Sequence, residues 1–136
     1  KIKKEICTNL INKGGKFLKL IHPSAKLGNN TQIGDGSIIC PNVIVTNNVN
    51  LNGFVSINIS TTIGHDVQVG EWTTVSAQCD LTGCVKVGSE VSIGSGARII
   101  PGKIVGDCAI IGAGAVVIRK VLNNQTVFGN PARPLI

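Results

Sequence analysis

Every sixth residue from Leu27 to Val117 is aliphatic, with no insertion: Leu27, Ile33, Ile39, Val45, Leu51, Ile57, Ile63, Val69, Val75, Leu81, Val87, Ile93, Ile99, Val105, Ile111 and Val117. Four places after each stands a second column that is small or β-branched: Thr31, Ser37, Val43, Val49, Val55, Thr61, Val67, Thr73, Cys79, Val85, Val91, Ala97, Ala109, Ala115 and Val121, with Lys103 the one exception. A six-residue aliphatic spacing matches neither the period of an amphipathic helix nor the alternation of a half-buried strand. It is the pattern of a parallel β-helix wound in hexapeptide repeats.

The geometry follows from the repeat. Six extended residues make a face of roughly 20 Å, and stacked coils pair as parallel strands about 4.8 Å apart. Three faces close a triangle, so residues 27–122 supply about five and a third coils of an all-β domain. The first column fills the prism. The second turns inward near a corner, where only compact side chains fit. The corners call for compact residues or positive φ, which Gly34, Gly36, Gly64, Gly70, Gly88, Gly94, Gly106, Gly112 and the many Asn are expected to supply.

Composition removes several alternatives. The chain of 136 residues is long enough for one domain with a real core. No apolar run reaches the length of a membrane span, so no membrane insertion is expected. No signal-peptide pattern opens the chain, and the absence of Met suggests that residue 1 is not the natural start. Cys7, Cys40, Cys79, Cys84 and Cys108 have no ligand spacing, which fits reduced thiols and a cytoplasmic setting, with Cys79 a core residue. The net charge is +6, and Lys1, Lys3, Lys4, Lys13, Lys16, Lys19 and Lys26 crowd the start. Three Phe and one Trp make poor stacking platforms, so nucleic acid is excluded and an anionic small molecule fits better.

The ends depart from the repeat. Ile2, Ile6, Cys7 and Leu10 stand at helical spacing before Gly14-Gly15, and residues 16–21, KFLKLI, read as a short strand. Residues 1–26 are therefore expected to be a cap, or the last elements of a domain otherwise missing. At the other end Asn123 takes the next aliphatic place. Residues 123–136 are expected to leave the prism as a loop, with Pro131 and Pro134 preventing regular pairing.

Two residues dominate the chemistry. His65 follows the inward Ile63 by two places, which projects it outward at a corner, and Asp66 is next to it. A carboxylate there fixes the imidazole tautomer and suits His65 to general-base work. His22, at the joint before the first coil, reads as structural. Two His are too few for a three-His zinc site, so no metal is expected. No Gly-x-Ser-x-Gly elbow and no phosphate loop occurs.

Residues 21–25 (IHPSA), 63–66 (IGHD), 111–115 (IGAGA) and 129–132 (GNPA) together resemble the hexapeptide-repeat sugar O/N-acetyltransferases of the NeuD/PglD type, over residues 17–136. IGAGA and GNPA are common among hexapeptide acyltransferases; the pairing of IHPSA with IGHD is more specific. The resemblance implies a left-handed coil, a homotrimer, and acetyl transfer from acetyl-CoA to a hydroxyl or amine of a small sugar, sialic acid or a nucleotide-linked amino sugar. It implies His65 as general base, Asp66 as its partner and Asn58 at the acceptor. It implies Thr74, Ser95 and Ala113 at acetyl-CoA, and the Gly83 N–H as an oxyanion-type donor. Arg119, Lys120 and Arg133 could meet coenzyme phosphates. Members often have His where Thr74 stands and usually carry a nucleotide-sugar-binding domain ahead of the IHPSA segment. The reading from another class is a non-catalytic scaffold or trimerisation module that kept the shape alone.

Overall fold

The aliphatic column points inward along almost its whole length in the computed structural model, which describes residues 2–135. Ile39, Leu51, Ile57, Ile63, Leu81, Ile93, Ile99 and Ile111 are fully buried. Strands of two residues recur with parallel partners eighteen positions apart, as in Ile63↔Leu81 and Leu81↔Ile99. They form three sheets of eight, six and five strands, one per face of a left-handed parallel β-helix of about 6 turns. The sheets start at Leu20–Ile21, Lys26–Leu27 and Gln32–Ile33 and are the first, second and third faces, each followed by the corner of the same number. Lys1, counted in the basic cluster, and Ile136, the end of the expected tail, lie outside the described residues.

The second column is buried with its hydroxyls satisfied. Ser37, Thr61 and Thr73 donate to the carbonyls of Asn52, Ser76 and Gly88 at 3.0, 3.0 and 2.8 Å. Each also accepts a backbone N–H from the next coil. No polar side-chain atom buried among the described residues is unpaired, which removes the main cost of placing hydroxyls in a core. Cys79 is buried as expected, and that burial pushes its thiol up. Lys103, near the end of the prism, is half-buried.

The corners follow the sequence expectation at Gly36, Asn30, Asn42 and Asn48, which take positive φ, and depart from it elsewhere. The left-handed position is the third corner residue. It is filled by Gly36, Gly96, Gly102 and Gly114, but also by Asn30, Asn42, Asn48, Phe54, Asp66, Trp72, Cys84 and Glu90, all with φ between 54° and 72°. Gly34, Gly64 and Gly94 stand two places earlier without positive φ. Their role is close approach: a Cβ on Gly64 would lie 2.6 Å from the Gly83 nitrogen, and one on Gly94 2.5 Å from the Ala113 nitrogen. Successive coils touch there, and only a hydrogen fits between them.

Both ends also differ. The first rung is Leu20–Ile21, which pairs with Ile38–Ile39, so the coil begins before Leu27, and residues 16–19 are not strand. Among the described residues none covers the prism beneath it, and Ile21 is 38% and Leu27 41% exposed. At the far end the chain does not depart as a loop. Val121 bridges Val105, and Thr126–Phe128 pairs in parallel with Ile110–Ile111 after a coil shortened by two residues. Arg133–Pro134 then adds an antiparallel edge, where a missing N–H costs no ladder bond.

The helix Ile2–Asn12 buries no residue. It is held to the third corner by side chains. Lys3 Nζ donates to Phe54 O at 3.3 Å and Ser56 Oγ at 3.0 Å, and Lys4 pairs with Glu90 at 2.6 Å. Beneath it Phe54 stacks on Trp72, with ring centroids 4.0 Å apart, and Phe17 meets Phe54 edge-on at 5.0 Å. His22 is structural: its Nδ1 accepts from the Ser24 N–H at 3.2 Å and lies 2.9 Å from Ser24 Oγ, which accepts from Asn42 N.

Candidate functional site

The corner after the second face carries the chemistry. Because the repeat is eighteen residues, Asn47, His65, Gly83, Pro101 and Arg119 share one position on successive coils, and Asn30, Asn48, Asp66, Cys84 and Gly102 share the next. Parallel ladders lock these rows: Asp66 N donates to Asn47 O at 3.1 Å, and Cys84 N to His65 O at 2.8 Å. His65 and Asp66 are outward and open, with side chains 65% and 50% exposed.

His65 Nδ1 lies 2.7 Å from Asp66 Oδ2. That hydrogen bond, helped by the Asn48 amide and opposed by desolvation, holds the Asp66 carboxyl below its ordinary value. A carboxylate only accepts, so the neutral imidazole carries its proton on Nδ1 and keeps a lone pair on Nε2. Nε2 faces Gly83 so closely that a Cβ there would overlap it. The glycine is the floor on which the ring rests. The Gly83 N–H has no acceptor among the described residues. At a few corners the equivalent N–H is capped by a side chain from the next coil, as Asn47 Oδ1 caps Asn29 N at 2.9 Å and Asp107 Oδ1 caps Ser89 N at 2.7 Å. Above Gly83 that position is Pro101, whose side chain has no acceptor to offer. A base with a fixed tautomer therefore stands beside an unused backbone donor, the pair needed for attack on a carbonyl.

The expected residues fall into two groups. His65, Asp66 and Gly83 meet at this corner. Asn58, Thr74, Ser95 and Ala113 lie on the first face or the corner after it, one face away, roughly 20 Å along six extended residues. Asn58 donates to Val75 O at 3.0 Å, and Thr74 pairs in register with Ser56 and Ser92. One protomer does not bring the two groups together. Arg119, Lys120 and Arg133 do converge, lining one cavity of about 300 Å³ at the C-terminal end.

Two neighbours escaped the sequence reading. Asn48 there is a corner former; its Oδ1 accepts from Asn30 Nδ2 at 3.2 Å, and its amide bears on Asp66. Cys84 sits one coil above Asp66, and His65, Asp66 and Cys84 offer ligand atoms all within 4.8 Å of one another. Adding eighteen to each residue number would have found both.

Comparison with known proteins agrees with this architecture. No protein-family profile matches the chain. It is 35% identical over 141 residues to a GDP-perosamine N-acetyltransferase of Escherichia coli, covering 99% of this chain and 63% of that protein. The acetyltransferase domain of PglB from Neisseria gonorrhoeae superposes with a TM-score of 0.96 at 34% identity, over 98% of this chain and 65% of that one. PerB from Caulobacter crescentus, solved with CoA and GDP-perosamine, superposes with a TM-score of 0.97 at 27% identity, over 99% of this chain and 65% of that one. Structures of that enzyme with one histidine replaced by asparagine or alanine hold the same two ligands. The chain thus spans just under two thirds of the length of these relatives.

Proposed function

The chain belongs to the hexapeptide-repeat family of sugar acetyltransferases, and from that premise we propose that it moves an acetyl group from acetyl-CoA to the amine of a nucleotide-linked amino sugar. The observation that carries the reading is His65, its Nδ1 bound to Asp66 and its Nε2 turned to Gly83, whose N–H is unused. In the transfer the amine nitrogen attacks the thioester carbonyl carbon as Nε2 takes its proton. The Gly83 N–H donates to the oxyanion that forms. Collapse breaks the C–S bond, and the imidazolium returns the proton to the departing thiolate. Asp66 steadies the charged imidazolium in between.

The placement of the remaining residues supports a shared site. Asn58, Thr74, Ser95 and Ala113 reach His65 when a second copy presents its first face to this corner, as in a homotrimer. Arg119 lies three coils beyond His65 at the same corner, roughly 14 Å along the axis. With Lys120 and Arg133 it offers positive charge for the phosphates of a coenzyme whose thioester reaches His65. No residue in the scheme calls for a metal. Use of acetyl-CoA and a sugar nucleotide supports a cytoplasmic setting. No helix among the described residues is long and apolar enough to cross a membrane. Amines are favoured over hydroxyls because GDP-perosamine is the ligand named for PerB and the E. coli relative is an N-acetyltransferase.

Thiol release from acetyl-CoA, followed across nucleotide-linked amino sugars and sialic acid, tests the proposal. Turnover is expected with an amine acceptor. His65→Ala should lose about 10²- to 10⁴-fold, the usual contribution of a general base, with an unchanged circular dichroism spectrum. No release with any acceptor, or equal rates for both proteins, would leave the non-catalytic scaffold as the better reading.

A further inference from the structure

We infer that His65, Asp66 and Cys84 form a site for a borderline-soft divalent cation of the Zn²⁺ class, through which such a metal switches the corner off. The three side chains bring an imidazole nitrogen, a carboxylate oxygen and a thiol within 4.8 Å of one another. Tetrahedral coordination at about 2.0–2.3 Å holds ligand atoms roughly 3.3–3.8 Å apart, so the widest separation here closes by about 1 Å on binding. The backbone beneath them is fixed: His65 and Asp66 are consecutive, and Cys84 N donates to His65 O at 2.8 Å, so the three exposed side chains are held on adjacent coils of one corner. Asp66 and Cys84 both take left-handed backbone, φ 59° and 62°, which throws their side chains to the same side of the corner.

The donor set decides the ion. Mg²⁺ and Ca²⁺ want cages of oxygen and do not favour a thiolate, whereas mixed N, O and S donors suit Zn²⁺ and Co²⁺. Three protein ligands on an open surface leave the fourth position to water, so binding is exchangeable rather than structural. Binding deprotonates Cys84 and breaks the 2.7 Å His65–Asp66 hydrogen bond, so protons are released and affinity rises with pH. The site needs nothing from acetyl transfer. Its consequence does rest on the proposed function: a metal that engages His65 and Asp66 removes the base and its partner together, while Cys84 has no part in the transfer.

Co²⁺ titrated into the purified full chain reports the site directly. Wild type should develop the near-ultraviolet thiolate-to-cobalt charge-transfer band, Zn²⁺ should remove it, and Mg²⁺ should not. Cys84→Ser and His65→Asn should both lose the band, while Cys108→Ser keeps it. In the transfer assay Zn²⁺ should inhibit wild type, and Cys84→Ser should keep its basal rate but need at least about tenfold more Zn²⁺ for the same inhibition, a loss of one strong ligand. Absence of the band in wild type, or its survival in Cys84→Ser, overturns the site. A band in an inactive wild-type protein upholds the site and counts against the transferase reading instead.

Discussion

Replacing Gly83 by alanine isolates the position of the imidazole from everything else in the fold. Gly83 has no positive φ, so a side chain is conformationally permitted there. The nearest atoms an added Cβ would meet all belong to the His65 ring. Among them Cε1 lies 2.7 Å from the Cβ position, against the 3.4 Å at which ordinary van der Waals contact begins, so the ring must retreat by 3.4 − 2.7 = 0.7 Å or more. A misplacement on the order of 1 Å costs about a hundredfold in rate, or about 2.7 kcal/mol of barrier. Single-turnover acetyl transfer on the variant should fall by about that factor, with thermal unfolding unchanged. The Gly83 N–H survives the substitution, so the loss would report the base and not the oxyanion donor. A fully active Gly83→Ala enzyme would refute the claim that Nε2 works from its place over Gly83. A variant that unfolds early would show that the contact is structural.

Four further substitutions separate parts of the account. Asp66→Asn suits the left-handed backbone but abolishes the charge that fixes the tautomer, so kcat should drop about tenfold to a hundredfold, less than on deleting the base. Because the folded-state value of Asp66 is lowered, its contact with His65 is complete above the ordinary carboxylate range and fails only as pH falls through that lower value; an NMR titration in which the carboxyl protonates at or above the ordinary range would contradict this. Gly64→Ala, which drives a Cβ into backbone, should destabilise far more than Gly102→Ala, which meets open space and bears only the left-handed strain of about 1–2 kcal/mol; equal urea midpoints would reject close approach as the reason for Gly64. Leu81→Ala removes a fully buried side chain halfway along the prism and should cost about 2–5 kcal/mol in denaturant unfolding, and a loss under 1 kcal/mol would mean that the core there is not close-packed.

The column of aliphatics was legible because a prism interior tolerates no exception: Ile63, Leu81 and Ile99 stack on one another, and a shift of one residue would turn each to solvent. His65 and Asp66 were legible for the same reason, since their phase against Ile63 fixes where they point. The corners were harder to read. Glycine serves close approach at Gly64 and positive φ at Gly102, and composition does not distinguish the two uses. The C-terminal rung was missed because it keeps its pairing while dropping two residues, which breaks the sixfold count at Asn123 although Val127 still pairs with Ile111. Asn48 and Cys84 were overlooked because they lie a whole coil from Asp66 in sequence and one rung from it in space.

A structure with coenzyme A bound is the most direct test of the site's assignment. The account predicts the thiol at the His65 corner, with the thioester carbonyl oxygen about 2.7–3.1 Å from the Gly83 nitrogen when acetyl-CoA replaces it. The phosphates should run toward Arg119, Lys120 and Arg133, and Ser95 and Ala113 should reach the coenzyme from a neighbouring copy. A thiol seated elsewhere, or a coenzyme held entirely within one copy away from His65, would contradict it.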